Sequence, residues 1–267
     1  MKYLSVLLMA VLAAFPALAQ QDGALHSLTT GDDIRGWEAV GRLDTGVSFC
    51  TATLITPDLV LTAAHCLYHP RTGARLSDDA LLFQAGLRNG RPEALRGVRA
   101  SHVSPGYVAA NRTELSMIAL DLALLELDLP LRTGRIAPIP SGRGAVPRTE
   151  VTVVSYGQDR EAFASIEEGC EILMRRDSVR SLSCRVDQGS SGAPVMRMTA
   201  DGPEIIAVMA ASGRDSAGGA MSLAVALEGR LDDLMAMQAG HASGGAVTII
   251  RPGATGRGRL EGHFIRP

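Results

Sequence analysis

Between residues 38 and 225 the apolar positions fall mostly in short runs separated by turn residues. The run 47–55 alternates and is rich in β-branched residues, then stops at Thr56-Pro57-Asp58. Further runs follow at 59–62, 81–84, 98–103, 122–127, 151–156, 195–198, 205–210 and 220–225. Alternation sends successive side chains to opposite faces, so each run reads as a strand and the turn residues between them as tight connections. One helix is predicted over 227–239, where Leu231, Leu234, Met235 and Met237 roughly follow helical spacing and Asp232 and Asp233 sit early. Many short strands with a single late helix predict an all-β protein, barrel or sandwich. Residues 132–148 carry Gly, Pro, Arg and Ser without periodicity and suit a connector between two halves. No internal sequence repeat is visible.

The chain opens differently. Lys2, an apolar stretch over 4–15, Pro16 and the small-x-small Ala17-Leu18-Ala19 read as an export signal over 1–19. The apolar stretch is shorter than the about 20 residues that span a bilayer, so no membrane association is expected once it is removed, and a secreted or periplasmic monomer is expected. The expected division is a leader at 1–19, a first half with its leading segment at 20–135, a second half with the helix at 136–240, and a Gly/Arg-rich tail at 241–267.

Composition changes the picture in two places. Lys+Arg number 26 against 28 Asp+Glu, and that balance argues against nucleic acid as a partner, because neutralising phosphates needs an excess of cations. Export makes disulfides the expected state of Cys50, Cys66, Cys170 and Cys184. Of the three pairings that four cysteines allow, proximity favours Cys50 with Cys66 and Cys170 with Cys184. His65 and His69 stand four apart, but Cys66 occupies the position where a zinc-helix glutamate would act. No metal and no cofactor is expected.

Three segments carry chemistry. Leu61-Thr62-Ala63-Ala64-His65-Cys66 ends an apolar strand with a histidine among small neighbours. Asp121 heads the almost wholly apolar Leu122-Ala123-Leu124-Leu125, where an isolated buried carboxylate would be costly. Asp187-Gln188-Gly189-Ser190-Ser191-Gly192-Ala193-Pro194 sets hydroxyls between glycines, on a turn able to aim two backbone N–H groups at one point. Together they offer a base, an orienting acid and a nucleophile in the chain order His, Asp, Ser. An esterase elbow is a poor fit, because it needs G-x-S-x-G and the order Ser, acid, His.

In this order and with these neighbours, the motifs TAAHC, DLALL and GSSGAP resemble the chymotrypsin-like (trypsin-like) serine peptidases, over roughly 38–240. The resemblance implies two antiparallel Greek-key β-barrels with a C-terminal helix, the active site between them, and a protein or peptide substrate cleaved through an acyl-enzyme. It implies Ser191 as nucleophile, His65 as general base and then acid, Asp121 as the residue orienting His65, and the N–H groups of Gly189 and Ser191 as oxyanion hole. Cys50–Cys66 resembles the disulfide that braces the family's histidine. The alternative reading is a catalytically silent homologue serving as a binding module.

The chain also departs from the family. Ser190 stands where trypsin-type zymogens carry the Asp that receives the new N-terminal ammonium, and the Ile-Val-Gly-Gly start is missing. Activation through that ion pair is therefore not expected; leader removal suffices, or a short propeptide ends near Arg35. Both features look closer to the bacterial branch that includes glutamyl endopeptidases. Ala210-Ala211-Ser212-Gly213 takes the place of the family's Ser-Trp-Gly wall, with Ser212 and Gly213 expected to bind substrate. Counting back from Ser191 puts Arg185 near the base of the primary specificity pocket, where it would favour an acidic residue before the scissile bond.

Overall fold

The computed structural model describes residues 25–185, 187–214 and 220–244; the predicted leader and the tail after 244 lie outside them. Strand β1 (His26–Ser27) is short. A closed barrel follows, made of β2 (Val40–Asp44), β3 (Phe49–Leu54), β4 (Leu59–Thr62), β5 (Leu82–Ala85), β6 (Ala94–Val103) and β7 (Ala123–Leu127), in the spatial order β2-β3-β4-β7-β6-β5. A one-turn helix, α1 (Leu115–Ile118), leads into β7. The second sheet holds β8 (Glu150–Gly157), β9 (Arg160–Arg176), β10 (Val179–Leu182), β11 (Pro194–Thr199), β12 (Gly202–Arg214) and β13 (Ala220–Ala226). Its order is β9-β10-β13-β12-β11-β8, and β8 also pairs with β9, so this ring of pairings closes as well. All pairs are antiparallel, and both rings make the same Greek-key jump from their third strand to their sixth. The last described element is α2 (Arg230–Gly244).

Strand β8 shows how the rings are joined. Val151 and Val153 point into the second core with Val195, Ile206 and Met209, whereas Val154 and Tyr156 pack into the first with Leu43, Leu54, Leu61 and Phe83. A strand covered on both faces has no solvent side to alternate with, which is why 151–156 reads as an almost unbroken apolar run. Each fully buried Leu or Val contributes roughly 1.5–3 kcal/mol relative to exposure, so this two-faced strand resists separation of the barrels.

The first and last described segments cross over. β1 adds to the edge of β9 through His26 opposite Ile166, and Leu28 and Ile34 of the leading segment are buried in the shared core. Leu231 and Leu234 of α2 are buried in the same core as the first barrel's strands, although α2 follows the second in sequence. Arg35 lies at an exposed turn, paired with Asp32 at 2.6 Å, and a cut there would sever β1 and Leu28 from the rest of the leading segment. Among the described residues no helix is long and apolar enough to cross a membrane.

Candidate active site

His65 sits on a single 3₁₀ turn, Ala64–Leu67, directly after β4, with Ala63 and Ala64 fully buried beneath it. The Cys50–Cys66 disulfide ties this turn to β3, and Cys170–Cys184 ties β9 to the loop after β10. Asp121 lies just before β7, its N–H bonded to the Ile118 carbonyl at the end of α1. Its carboxylate is buried, and each oxygen meets a different group of the same residue. Oδ1 accepts the His65 backbone N–H at 2.8 Å, and Oδ2 lies 2.6 Å from Nδ1. Nδ1 must carry the proton to bond a carboxylate, which leaves Nε2 as the acceptor facing the cleft. Burial alone would depress the imidazole pKa, and the Arg112 charge opposes protonation too; the charge and hydrogen bond of Asp121 outweigh both and raise it above 6.5.

The loop that carries Ser191 is held from both barrels. Gly189 (φ +98°) and Gly192 (φ +82°) take left-handed conformations, and a Cβ on either would strike Phe49 or the Thr51 carbonyl and Thr62 hydroxyl respectively. The Thr51 N–H donates to the Ser191 carbonyl at 2.8 Å, and its hydroxyl donates to the Gly189 carbonyl at 2.9 Å while accepting the Tyr156 N–H at 3.0 Å. Thr62 Oγ1 in turn donates to the Thr51 carbonyl at 2.9 Å. Within the second ring, Gly192 N–H donates to the Met209 carbonyl at 2.7 Å. Among the described residues no acceptor meets the N–H of Gly189 or of Ser191, and no hydrogen bond joins Ser191 to His65. Such catalytic contacts are often long before substrate binds.

His65 stands between two hollows. One, of about 190 Å³, is lined by Phe49, Gly189 and Ser191. The other, of about 320 Å³, is lined by Asp121, Ala210, Ala211, Ser212 and Gly213. Arg112 reaches both. Thus His65, Asp121, Ser191, Gly189, Ser212 and Gly213 converge on one cleft. Arg185 does not join them. It is exposed and lines neither hollow, and its backbone N–H is fixed by Glu167 Oε2 at 2.9 Å. A larger hollow of about 410 Å³ beside α2 is walled by arginines and acids and shares no lining residue with the two hollows beside His65. The ligand atoms of Cys50, His65 and Cys66 lie within 4.8 Å of one another, but both sulfurs are spent in the disulfide, so that trio braces the histidine and is no metal cradle.

Thr51, Thr62 and Arg160 do not stand out in the sequence. Each threonine sits in a β-branched strand where threonine is ordinary, and only the folded structure reveals what it holds.

Residues 50–202, more than half of the chain, match the family model of the trypsin-like peptidase domain. A modular serine protease of Drosophila melanogaster is 40% identical over 93 residues, covering 33% of this chain and 14% of that protein. Serine protease 23 of Homo sapiens is 26% identical over 172 residues, covering 58% of this chain and 43% of that protein. The chain therefore spans less than half the length of these curated relatives. Among solved structures, a Glu endopeptidase in complex with MPD superposes with a TM-score of 0.65 at 15% identity, covering 82% of this chain and 97% of that one. That likeness is one of fold.

Proposed function

Because the chain belongs to the trypsin-like peptidase family, we propose that it is a secreted or periplasmic serine endopeptidase working through Ser191, His65 and Asp121. The observation that carries this reading is the double hold of Asp121 on His65, with Nδ1 at 2.6 Å and the backbone N–H at 2.8 Å, beside the cleft that Ser191 lines. A mostly buried imidazole has no structural need of an acid that fixes one tautomer; a general base does.

In this mechanism Ser191 Oγ attacks the scissile carbonyl carbon while His65 Nε2 takes its proton. Asp121 stabilises the imidazolium that forms. The unpartnered N–H groups of Gly189 and Ser191 receive the developing oxyanion. Collapse of the tetrahedral intermediate breaks the C–N bond, with His65 returning the proton to the leaving amine. Water then repeats the sequence on the acyl-enzyme. The second hollow, walled by Ser212 and Gly213, takes the substrate residues on the acyl side.

The test is hydrolysis of peptide and peptide-ester substrates by the purified protein. Ser191→Ala should lower kcat by at least about 10⁴-fold while leaving thermal unfolding unchanged. Undiminished hydrolysis in that variant would reject the assignment.

A further inference from the structure

The residue before the nucleophile is buried and sits against a cation. Ser190 is 1% exposed, and its Oγ accepts from Arg160 Nη2 at 3.2 Å. Arg160 reaches it from the start of β9. Its guanidinium also donates to the Ser155 carbonyl at 2.5 Å, to Ser155 Oγ at 3.2 Å and to Asp187 Oδ2 at 3.4 Å. The side chain is only 10% exposed, and a guanidinium cannot shed its proton to escape the cost of burial. The fold makes room for it: a Cβ at Gly157 would lie 2.6–2.7 Å from the guanidinium atoms. Glu167, on the same strand and buried, anchors the loop a second time through the Arg185 N–H. β9 thus meets the loop twice, through Glu167 at Arg185 and through Arg160 at Asp187 and Ser190.

Resting on the peptidase reading above, we propose that Arg160 is the positioning residue of the nucleophile loop. It is an internal cation that sets the Gly189–Ser191 turn, so that no newly cut N-terminus is needed to complete the oxyanion site. The residue beneath the loop is a serine, which cannot hold a terminal ammonium by charge, whereas a permanent guanidinium fixed by acceptors from β8 and from the loop does the equivalent work from inside the chain. Arg160 touches no reacting atom; it acts through Ser190 and Asp187.

The experiment is steady-state kinetics on the exported protein with Arg160→Ala, Arg160→Lys and Gly157→Ala, and Arg176→Met, an exposed arginine of the same strand, as control. Losing an oxyanion donor costs about 10²–10³ in kcat. Arg160→Ala should therefore lower kcat at least about 30-fold with KM within about threefold, because the turn positions the transition state rather than the ground state. Arg160→Lys, which keeps the charge, should recover at least about a third of the loss on a logarithmic scale. Gly157→Ala should fall in the same direction, and Arg176→Met should match wild type. Extending the N-terminus of the leaderless protein by a few residues should leave kcat intact. If Arg160→Ala does not fold, the Lys and Gly157 variants decide alone. Three results would overturn the proposal: kcat within about twofold of wild type in Arg160→Ala, a loss expressed only in KM, or inactivation by the N-terminal extension. An active wild type with such results overturns this inference only; an inactive wild type overturns the peptidase reading as well.

Discussion

The two rings share one strand order and divide the work unequally. The first holds its own share of the proposed triad. His65 is fixed by a disulfide to β3 and by both oxygens of Asp121, all within that barrel. The loop that carries Ser191 depends on both rings, through Thr51 of β3 to the Ser191 and Gly189 carbonyls and through Arg160 of β9, in its own ring, to Ser190. The contrast teaches that the Ser191 loop, unlike the His65 turn, is tied to both barrels at once. Disturbing the first barrel's internal ties should act on the base, and disturbing Thr51 should act on the nucleophile.

The largest effect should come from the base. Asp121→Asn removes the charge and offers His65 the wrong hydrogen-bond partner, and kcat should fall about 10⁴-fold. Gly192→Ala should be next. The strain at φ +82° and the collision with Thr51 and Thr62 should cost about 3 kcal/mol of stability, read as a drop in denaturant midpoint, with activity lost to match. The two disulfides then sharpen the contrast. Their loops span 16 and 14 residues, so replacing either pair with alanine should cost about 3 kcal/mol. Only loss of Cys50–Cys66 should also reduce kcat, because only that bridge borders His65. Thr51→Val leaves the buried Gly189 carbonyl and Tyr156 N–H unpaired and should cost about 2 kcal/mol and lower kcat with KM little changed.

The smallest effect is in pH. A raised His65 pKa means the base is protonated, and inactive, up to a pH above the ordinary 6.5. The acid limb of kcat/KM should therefore have its midpoint above 6.5 and fall below it in Asp121→Asn, where burial acts without the compensating charge. Because the folded pKa is raised, the pair's contribution to stability is present below 6.5 and is lost as pH rises through the folded value. The melting-temperature gap between wild type and Asp121→Asn should be wider at pH 5.5 than at pH 9.

What the sequence made legible follows from where each element is buried. β4 and β7 have a uniform environment, and their limits nearly match the predicted 59–62 and 122–127. β9 escaped notice because its burial changes along its length, from a half paired with both β8 and β1 to an exposed arm that meets only β10, so no single period marks it. β2 and β10 are short and carry arginine, and Arg180, nearly fully buried, reads in sequence as a surface residue. The helix was placed three residues early because Leu227 is buried ahead of it and continues the apolar spacing. At the site, His65, Asp121 and Ser191 stood out because each sits in a motif, whereas Thr51, Arg160 and Glu167 matter only through partners distant in the chain. Arg185 shows the converse: a gapless count assigned it to the pocket floor, but its exposed side chain lies outside both hollows beside His65.

The most direct measurement of the central claim is covalent labelling with a fluorophosphonate, followed by peptide mapping. With His65 taking the Ser191 proton, Oγ attacks phosphorus and fluoride leaves while the Gly189 and Ser191 N–H groups receive the phosphoryl oxygen, which should give one stoichiometric adduct on Ser191, formed far more slowly in His65→Ala. No adduct, an adduct on Ser190 instead, or equal labelling rates with and without His65 would contradict the account.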